Sequence, residues 1–198
     1  ATNTVIKEIP VGVAPLDIAI SPDSTTIYVT SFFSDELHAI DTTLDAVFGV
    51  VDVDGDPAAQ ALPLGVAITP DGSELWVTCE PSGEVAVIDT ATLTKVDTVS
   101  LAGSTPVDVK FNDLGDTAWV VSFRQDLFGV IDVVHKVDTA TRAVLAEHSS
   151  ASDPNVGVGV AEVAVNDKGT AFVTNVGPID YATFRPIAPH PDYITQID

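Results

Sequence analysis

One passage of this chain returns four times. DIAISPDSTTIYVTS, beginning at Asp17, has counterparts in GVAITPDGSELWVTC from Gly65, PVDVKFNDLGDTAWVVS from Pro106 and VAEVAVNDKGTAFVTN from Val160. Each copy then runs to an aspartate, at Asp41, Asp89, Asp138 and Asp198, spaced by 48, 49 and 60 residues. A repeat of this size is one supersecondary unit. It cannot bury its apolar face alone, so neighbouring units must stack.

The unit reads as strand. Ile27 and Val29 alternate with Tyr28 and Thr30, and Leu75 and Val77 alternate with Trp76 and Thr78. These β-branched and aromatic runs are bounded by Pro-Asp, Asp-Gly and Asn-Asp turns. Both faces of each run are apolar, as expected of a sheet covered on both sides. No capped helical pattern interrupts them. Four short antiparallel strands per unit, stacked sheet on sheet, predict an all-β protein: a β-propeller with four blades of four strands, closed alone or part of a larger ring. The units fall at about residues 12–50, 60–101, 102–148 and 156–198, the last joined by 1–11. Tyr28, Trp76, Trp119 and Phe172 should hold equivalent places in the second strands.

The motifs also carry a resemblance. FVTN at 172–175, with YVTS, WVTC and WVVS in the other copies, SPD before the first and IDTAT after the second, is similar to the YVTN-type β-propeller repeat family. That resemblance covers nearly the whole chain and implies the fold. Its relatives include surface-layer and secreted proteins, lactonase-like proteins and propellers of redox enzymes, so it does not choose an activity.

The opening ATNTVIKEIPVG resembles the passage that follows IDT, and the closing YITQID the passage that precedes it. Val5–Val11 is therefore expected to pair with Tyr193–Asp198, within one chain or between two, which would remove an open sheet edge. The absence of Met suggests a removed leader or a longer chain. A lone Cys79 allows no intrachain disulfide and no cysteine-based zinc site, and it aligns with Ser31, Ser122 and Asn175 as a packed position.

Charge narrows the partners. Eight Lys plus Arg face 29 Asp plus Glu, for a net charge of -21. Such a surface repels nucleic acid and anionic lipid, and no apolar run has the length of a membrane span. It suits a secreted or salt-adapted protein, and the fold should weaken at low ionic strength. Alternatively, some carboxylates converge on calcium; no other cofactor is expected.

Strand parity places the expansions. In an antiparallel blade the 2–3 and 4–1 connections share one face and the 1–2 and 3–4 connections the other. Tyr28 to Asp41 and Trp76 to Asp89 are 13 residues, but Trp119 to Asp138 is 19 and Phe172 to Asp198 is 26. Expansions at 51–63, 123–136, 149–158 and 177–192 thus leave from one face, where variable loops on a rigid scaffold carry function. Asp52, Asp54, Asp56, Arg124, Asp180, Tyr181, Arg185 and His190 are the candidate contact residues there. Asp52, Asp54 and Asp56 alternate like the start of a calcium loop, yet Pro57 stands where an EF-hand needs glycine and Pro63 where it needs glutamate, which favours an acidic turn. His38 reads as a packed strand residue. GVGVAE at 157–162 lacks the third glycine of a dinucleotide loop, since Glu162 stands in its place, and no GxSxG occurs.

The expected role is a secreted, periplasmic or cell-surface module that binds a protein or surface component through this face, as a monomer, a homo-oligomer or part of a larger propeller. The alternative is a lactonase-like or redox enzyme domain with a metal or haem at the central channel.

Overall fold

The structure is a computed structural model that describes residues 4–55, 60–80, 82–101, 103–126, 129–149, 162–175, 179–180, 185–186 and 193–197. The first sheet is β1 (Pro15–Ile20), β2 (Thr26–Ser31), β3 (Glu36–Asp41) and β4 (Ala46–Asp52). The second is β5 (Pro63–Ile68), β6 (Glu74–Cys79), β7 (Glu84–Asp89) and β8 (Thr94–Ser100). The third is β9 (Thr105–Phe111), β10 (Thr117–Asp126), β11 (Gly129–Asp138) and β12 (Val144–Ser149). In the fourth, β13 (Val163–Val165), β14 (Ala171–Asn175) and β17 (Tyr193–Ile197) pair, with a separate ribbon of β15 (Ile179–Asp180) and β16 (Arg185–Pro186). Each sheet runs antiparallel in chain order, and the one helical element among the described residues is a 3-10 turn at Phe32–Ser34. The inner strands β1, β5, β9 and β13 touch in succession, so the sheets radiate as propeller blades.

Short polar turns set this register. In the first blade, Asp23 Oδ1 accepts from Ser21 Oγ, Thr25 N and Thr25 Oγ1. Asp71 repeats this with Thr69 Oγ1, Ser73 N and Ser73 Oγ. Asn112 and Asn166 take over in the third and fourth blades, accepting from Thr117 N and from Lys168 N and Thr170 N. The fourth turn residue is left-handed each time: Gly72, Gly115, Gly169 and, in the first blade, Ser24 at φ 61. Glycine meets that requirement without steric cost; Ser24 does not.

Strands 3 and 4 are joined by a second repeated device. Asp41, Asp89 and Asp138 each accept backbone N–H groups two or three residues on. The next threonines, Thr42, Thr90 and Thr139, donate to Ser24 O, Gly72 O and Gly115 O of the 1–2 turn. These bonds knit both turn types into one face, as parity requires.

The core lies between blades. Tyr28, Leu37, Ala39 and Val51 of the first blade pack on Val66, Leu75, Val77 and Ile88 of the second. Trp76, Val85, Val87 and Val99 pack likewise on Val109, Ala118, Val120 and Val137. The four aromatics occupy one register: Tyr28 faces Ala19 and Ala39, Trp76 faces Ala67 and Val87, Trp119 faces Lys110 and Lys136, and Phe172 faces Ala164 and Gln196. A small or flexible neighbour on the inner strand leaves the ring room to lean on the next blade.

Two expectations need correction. The pairing expected within one chain is not made: Val5–Val11 forms no strand, and among the described residues β17 pairs with β14 alone. Val5 and Ile6 are exposed, while Lys7 reaches Leu44 O and Asp45 on the first blade. The ends stay apart because the four blades are joined in series through their inner strands, and the first blade and β17 lie at opposite ends of that series. The expected loop at 123–136 is mostly sheet: β10 and β11 lengthen together and pair in unbroken register from Thr117–Asp138 to Asp126–Gly129. Inserted residues shared equally by two antiparallel strands keep their ladder, so they extend a hairpin.

Candidate functional site

The face opposite the knitted turns is where the 2–3 and 4–1 connections emerge. The inner strands lead from this loop face toward the turn face along a groove. Its turn-side cleft, ≈570 Å³, is walled by Ile18, Ile20, Val66, Ile68, Phe111 and Val163. Its loop-side mouth, ≈430 Å³, gathers Asp17, Gly65, Asp108, Lys110 and Glu162.

The acidic residues at the mouth hold one place in the repeat, the third position of PLD, PLG, PVD and VAE. Two act as clasps between blades. Asp17 accepts Ile18 N with Oδ1 and Val66 N of the second blade with Oδ2, both at 2.8 Å. Asp108 accepts Val109 N at 2.8 Å and Val163 N of the fourth blade at 3.0 Å, and also meets Lys110 Nζ at 2.7 Å. Thr30 Oγ1 and Thr78 Oγ1 add donations to Leu64 O and Val107 O across the same joints. Gly65 breaks the pattern because a Cβ there would lie 2.7 Å from Val107 O. Reading down the aligned repeats would have found this set; reading along the chain did not.

The expected contact residues are only partly gathered. Asp52 is exposed at the end of β4, and its Oδ1 accepts Gly55 N at 3.2 Å. Partial desolvation of the carboxyl by its neighbours, together with a side-chain hydrogen bond to Asp54, raises Asp52 from its ordinary value. Asp54 is half-buried beside it. Asp56, Tyr181 and His190 lie outside the described residues. Asp180 and Arg185 pair across the β15–β16 ribbon. Arg124, near the tip of β10, is half-buried: Nε and Nη2 donate to Ser104 Oγ at 3.3 and 3.1 Å, and Nη2 meets Glu147 Oε2 at 2.8 Å. Among the described residues no group of three His, Cys, Asp or Glu is placed to hold a metal ion.

A pair of serines and histidines escaped the sequence reading. Ser31 and His38 in the first blade match Ser122 and His135 in the third, since His38 faces Val29 and His135 faces Val120. In the first blade, Ser31 Oγ and His38 Nδ1 are 3.3 Å apart, and His38 Nε2 lies 3.5 Å from Glu36 Oε2. Ser31 is fully buried, so no substrate reaches it, and the chain of groups braces the sheet. His38 is packed, as expected. In the third blade the bond is not made: Ser122 Oγ and both ring nitrogens of His135 are buried without hydrogen-bond partners. Burial depresses His135 to about 4, against the pull of Glu147. Cys79, at the serine position of the second blade, is buried, which pushes its thiol up to about 11.

No protein-family model matches this chain, and no curated protein matches it. Solved structures do. Hydrazine synthase of Kuenenia stuttgartiensis matches with a TM-score of 0.79 and 22% identity, over 98% of this chain and 54% of that one. A structure of U3-55K matches with a TM-score of 0.69 and 12% identity, over 84% and 47%. The WD40 repeats of RRP9 give 0.68 and 12%, over 84% and 46%. The chain thus spans about half the length of these solved chains. At such identities the likeness is one of fold, an arrangement of β-propeller blades.

Proposed function

We propose that this chain is a binding or scaffold module that meets a protein or cell-surface component with its loop face, in an extracellular, periplasmic or cell-surface setting. One observation carries the reading. The polar groups of the turn face are engaged in their own repeated network, from Asp23 and Asp71 to Thr42, Thr90 and Thr139. The loop face differs from blade to blade and braces an arginine, Arg124, against Ser104 and Glu147, in a chain of net charge -21. A fixed cation in an acidic surface suits an acidic group on a partner. The VTN-like strands support placing the chain with YVTN-type repeats.

The test is retention of cell-envelope proteins on the immobilised chain. Arg124→Glu should abolish specific retention, and Lys168→Glu on the turn face should leave it intact. The reverse pattern would refute the reading.

A second, narrower reading is calcium at the Asp52–Asp56 turn. Asp52 and Asp54 already press two carboxyl groups together, a repulsion that a divalent cation relieves. Calcium titration by calorimetry should give a heat that Asp54→Asn removes; no heat in the parent chain ends this reading. The enzyme alternative needs a metal or haem at the groove. Asp17 and Asp108 are committed there to backbone N–H groups, a poor fit to that demand. Metal analysis with an absorption spectrum separates the two classes.

A further inference from the structure

On the loop side of the third blade, where it packs on the second, one carboxylate stands between two bases. Glu147 Oε2 lies 2.8 Å from Arg124 Nη2 and 3.9 Å from His135 Nδ1. The first contact is a hydrogen-bonded ion pair; the second is too long for a hydrogen bond. The Arg124 and Glu147 side chains are 27 and 40% exposed, while His135 is 2% exposed. Arg124 is also held by Ser104, in the connection between the two blades.

The repeat shows that a joint of this kind does not need these groups. His135 faces Val120 and Glu147, and the same place in the second blade holds Ala86, facing Val77 and Thr98. Ala86 is fully buried in the core shared with the first blade. In the first blade the equivalent His38 meets Ser31 and Glu36. In the third, both ring nitrogens of His135 and Ser122 Oγ are buried without hydrogen-bond partners. A buried ring with its hydrogen bonds unmade is poised to change partners.

Its surroundings decide which partner it takes. On β11, Val133 and Val137 share its face, and the second blade brings Val85, Val87, Val99 and Leu101 to this joint. The acids Glu74 and Asp97 of the second blade are held by Arg142 at the turn face. β10 contributes Ser122 and Arg124, and β12 contributes Glu147 and Ser149. Of the charged groups, Glu147 favours the imidazolium and Arg124 opposes it. Burial outweighs both and lowers His135 to about 4, and the hydrogen bond from Arg124 holds Glu147 below its usual range. At neutral pH the carboxylate therefore belongs to Arg124.

We propose that Glu147 is a pH-driven latch on Arg124. In neutral solution it holds the guanidinium against the third blade. On acidification a proton from solvent enters the His135 ring. Glu147 turns inward to accept the Nδ1–H, and Ser122 Oγ, placed in the register that joins Ser31 to His38, accepts from the other ring nitrogen. Arg124, now beside a second cation, swings out to solvent on the loop face. The use of this latch in binding rests on Arg124 as the contact residue of that face. Acid then presents a free guanidinium to a partner's acidic group. By linkage, a partner that takes Arg124 drives a proton onto His135.

Nuclear magnetic resonance of the full chain, followed from neutral pH downward, tests the latch. The Arg124 Nε–H signal should move toward that of a free guanidinium and exchange faster with solvent, at the same midpoint as the His135 ring. In His135→Val that step should shift to lower pH, where Glu147 itself takes the proton. Arg124→Gln should raise the His135 midpoint, and Glu147→Gln should lower it. An Arg124 step at the same pH with and without His135 overturns the proposal. So does a His135 midpoint that neither variant moves, or loss of the folded spectrum before the ring titrates. None of these signals involves a partner. The latch can therefore fail while Arg124 remains the contact residue, and the retention test can fail while the latch stands.

Discussion

The turn face and the loop face of this molecule are built by opposite means. On the turn face, the same aspartates and threonines recur at the same offsets and hold the turns through repeated bonds. Asp23, Asp71, Asp89 and Asp138 are each held below the usual carboxylate range, first by a Ser or Thr hydroxyl and then by backbone N–H groups. Toward the loop face, the spaces between blades turn polar. Ser31, His38, Thr78, Ser104, Ser122, Asp132, His135 and Ser149 are buried there, and the Ser–His bond closed in the first blade is missing in the third. Repetition secures the register of the strands, and departures from it mark where the chain is free to serve something other than its fold.

The largest expected effect lies in the repeated, turn-side packing. Trp76 is fully buried between the second and third blades, edge-on to Phe111 at 5.3 Å, with Nε1 donating to Glu74 Oε2. Trp76→Ala should cost about 3–5 kcal/mol, the usual range for emptying a buried aromatic site. Phe172→Ala at the equivalent half-buried place should cost less than half as much. Denaturant melts of both variants measure the ratio, and equal losses would erase the distinction between an inner joint and an end face.

Acid should find the loop-side half first. His135 is neutral in the fold because burial holds it near 4, while in the unfolded chain it titrates near its ordinary 6.5. The unfolded state therefore binds the extra proton. Stability from this group is complete above about pH 6.5 and is lost as pH falls toward 4, by about 3 kcal/mol in all. The turn-face aspartates act in a lower window. Their contribution is present above the ordinary carboxylate pKa and fades as pH drops below it. Denaturation of the parent and of His135→Val between pH 7 and 4 separates the windows: the variant should lose the slope and be no less stable at pH 7, because it removes two unpaired buried nitrogens. An unchanged slope would mean that His135 is protonated or solvated in the fold.

How much of this was legible in the sequence follows the same division. The alternation of Ile27–Thr30 and Leu75–Thr78, with the Pro-Asp and Asp-Gly turns, sufficed to place the blades, their strand order and the four aromatics, because those features depend on local chemistry repeated in each unit. The lengthened hairpin at β10–β11 was not legible: a count of residues does not show whether an insertion divides between two strands or loops out. Pairing of Val5–Val11 was read from register alone, and register is blind to the distance between the two ends of the series. The clasps of Asp17 and Asp108 were missed for a related reason. Their partners, Val66 N and Val163 N, are backbone groups of the next blade, which no motif along the chain displays.

The finest probe of the comparison is a pair of arginines that brace the second and third blades from opposite faces. On the turn face Arg142 reaches Glu74 Oε1 at 2.5 Å and Asp97 Oδ2 at 3.3 Å, donates to Thr139 O, and lies 5.2 Å from the Trp76 ring centre. It follows the strand-end Asp138 turn and uses a left-handed backbone at φ 61. On the loop face Arg124 touches the connection only through the neutral Ser104, and its ion pair with Glu147 stays within its own blade. Arg142→Ala removes a partly buried bridge between two blades and a cation over an indole, so it should cost about 1–2 kcal/mol. Arg124→Ala removes a pair on a single sheet and should cost no more than about 0.5 kcal/mol. A double variant should sum the two losses, since the residues share no partner. If instead Arg124→Ala proves the costlier, the loop-face arginine is part of the frame, and its place in partner binding falls with it.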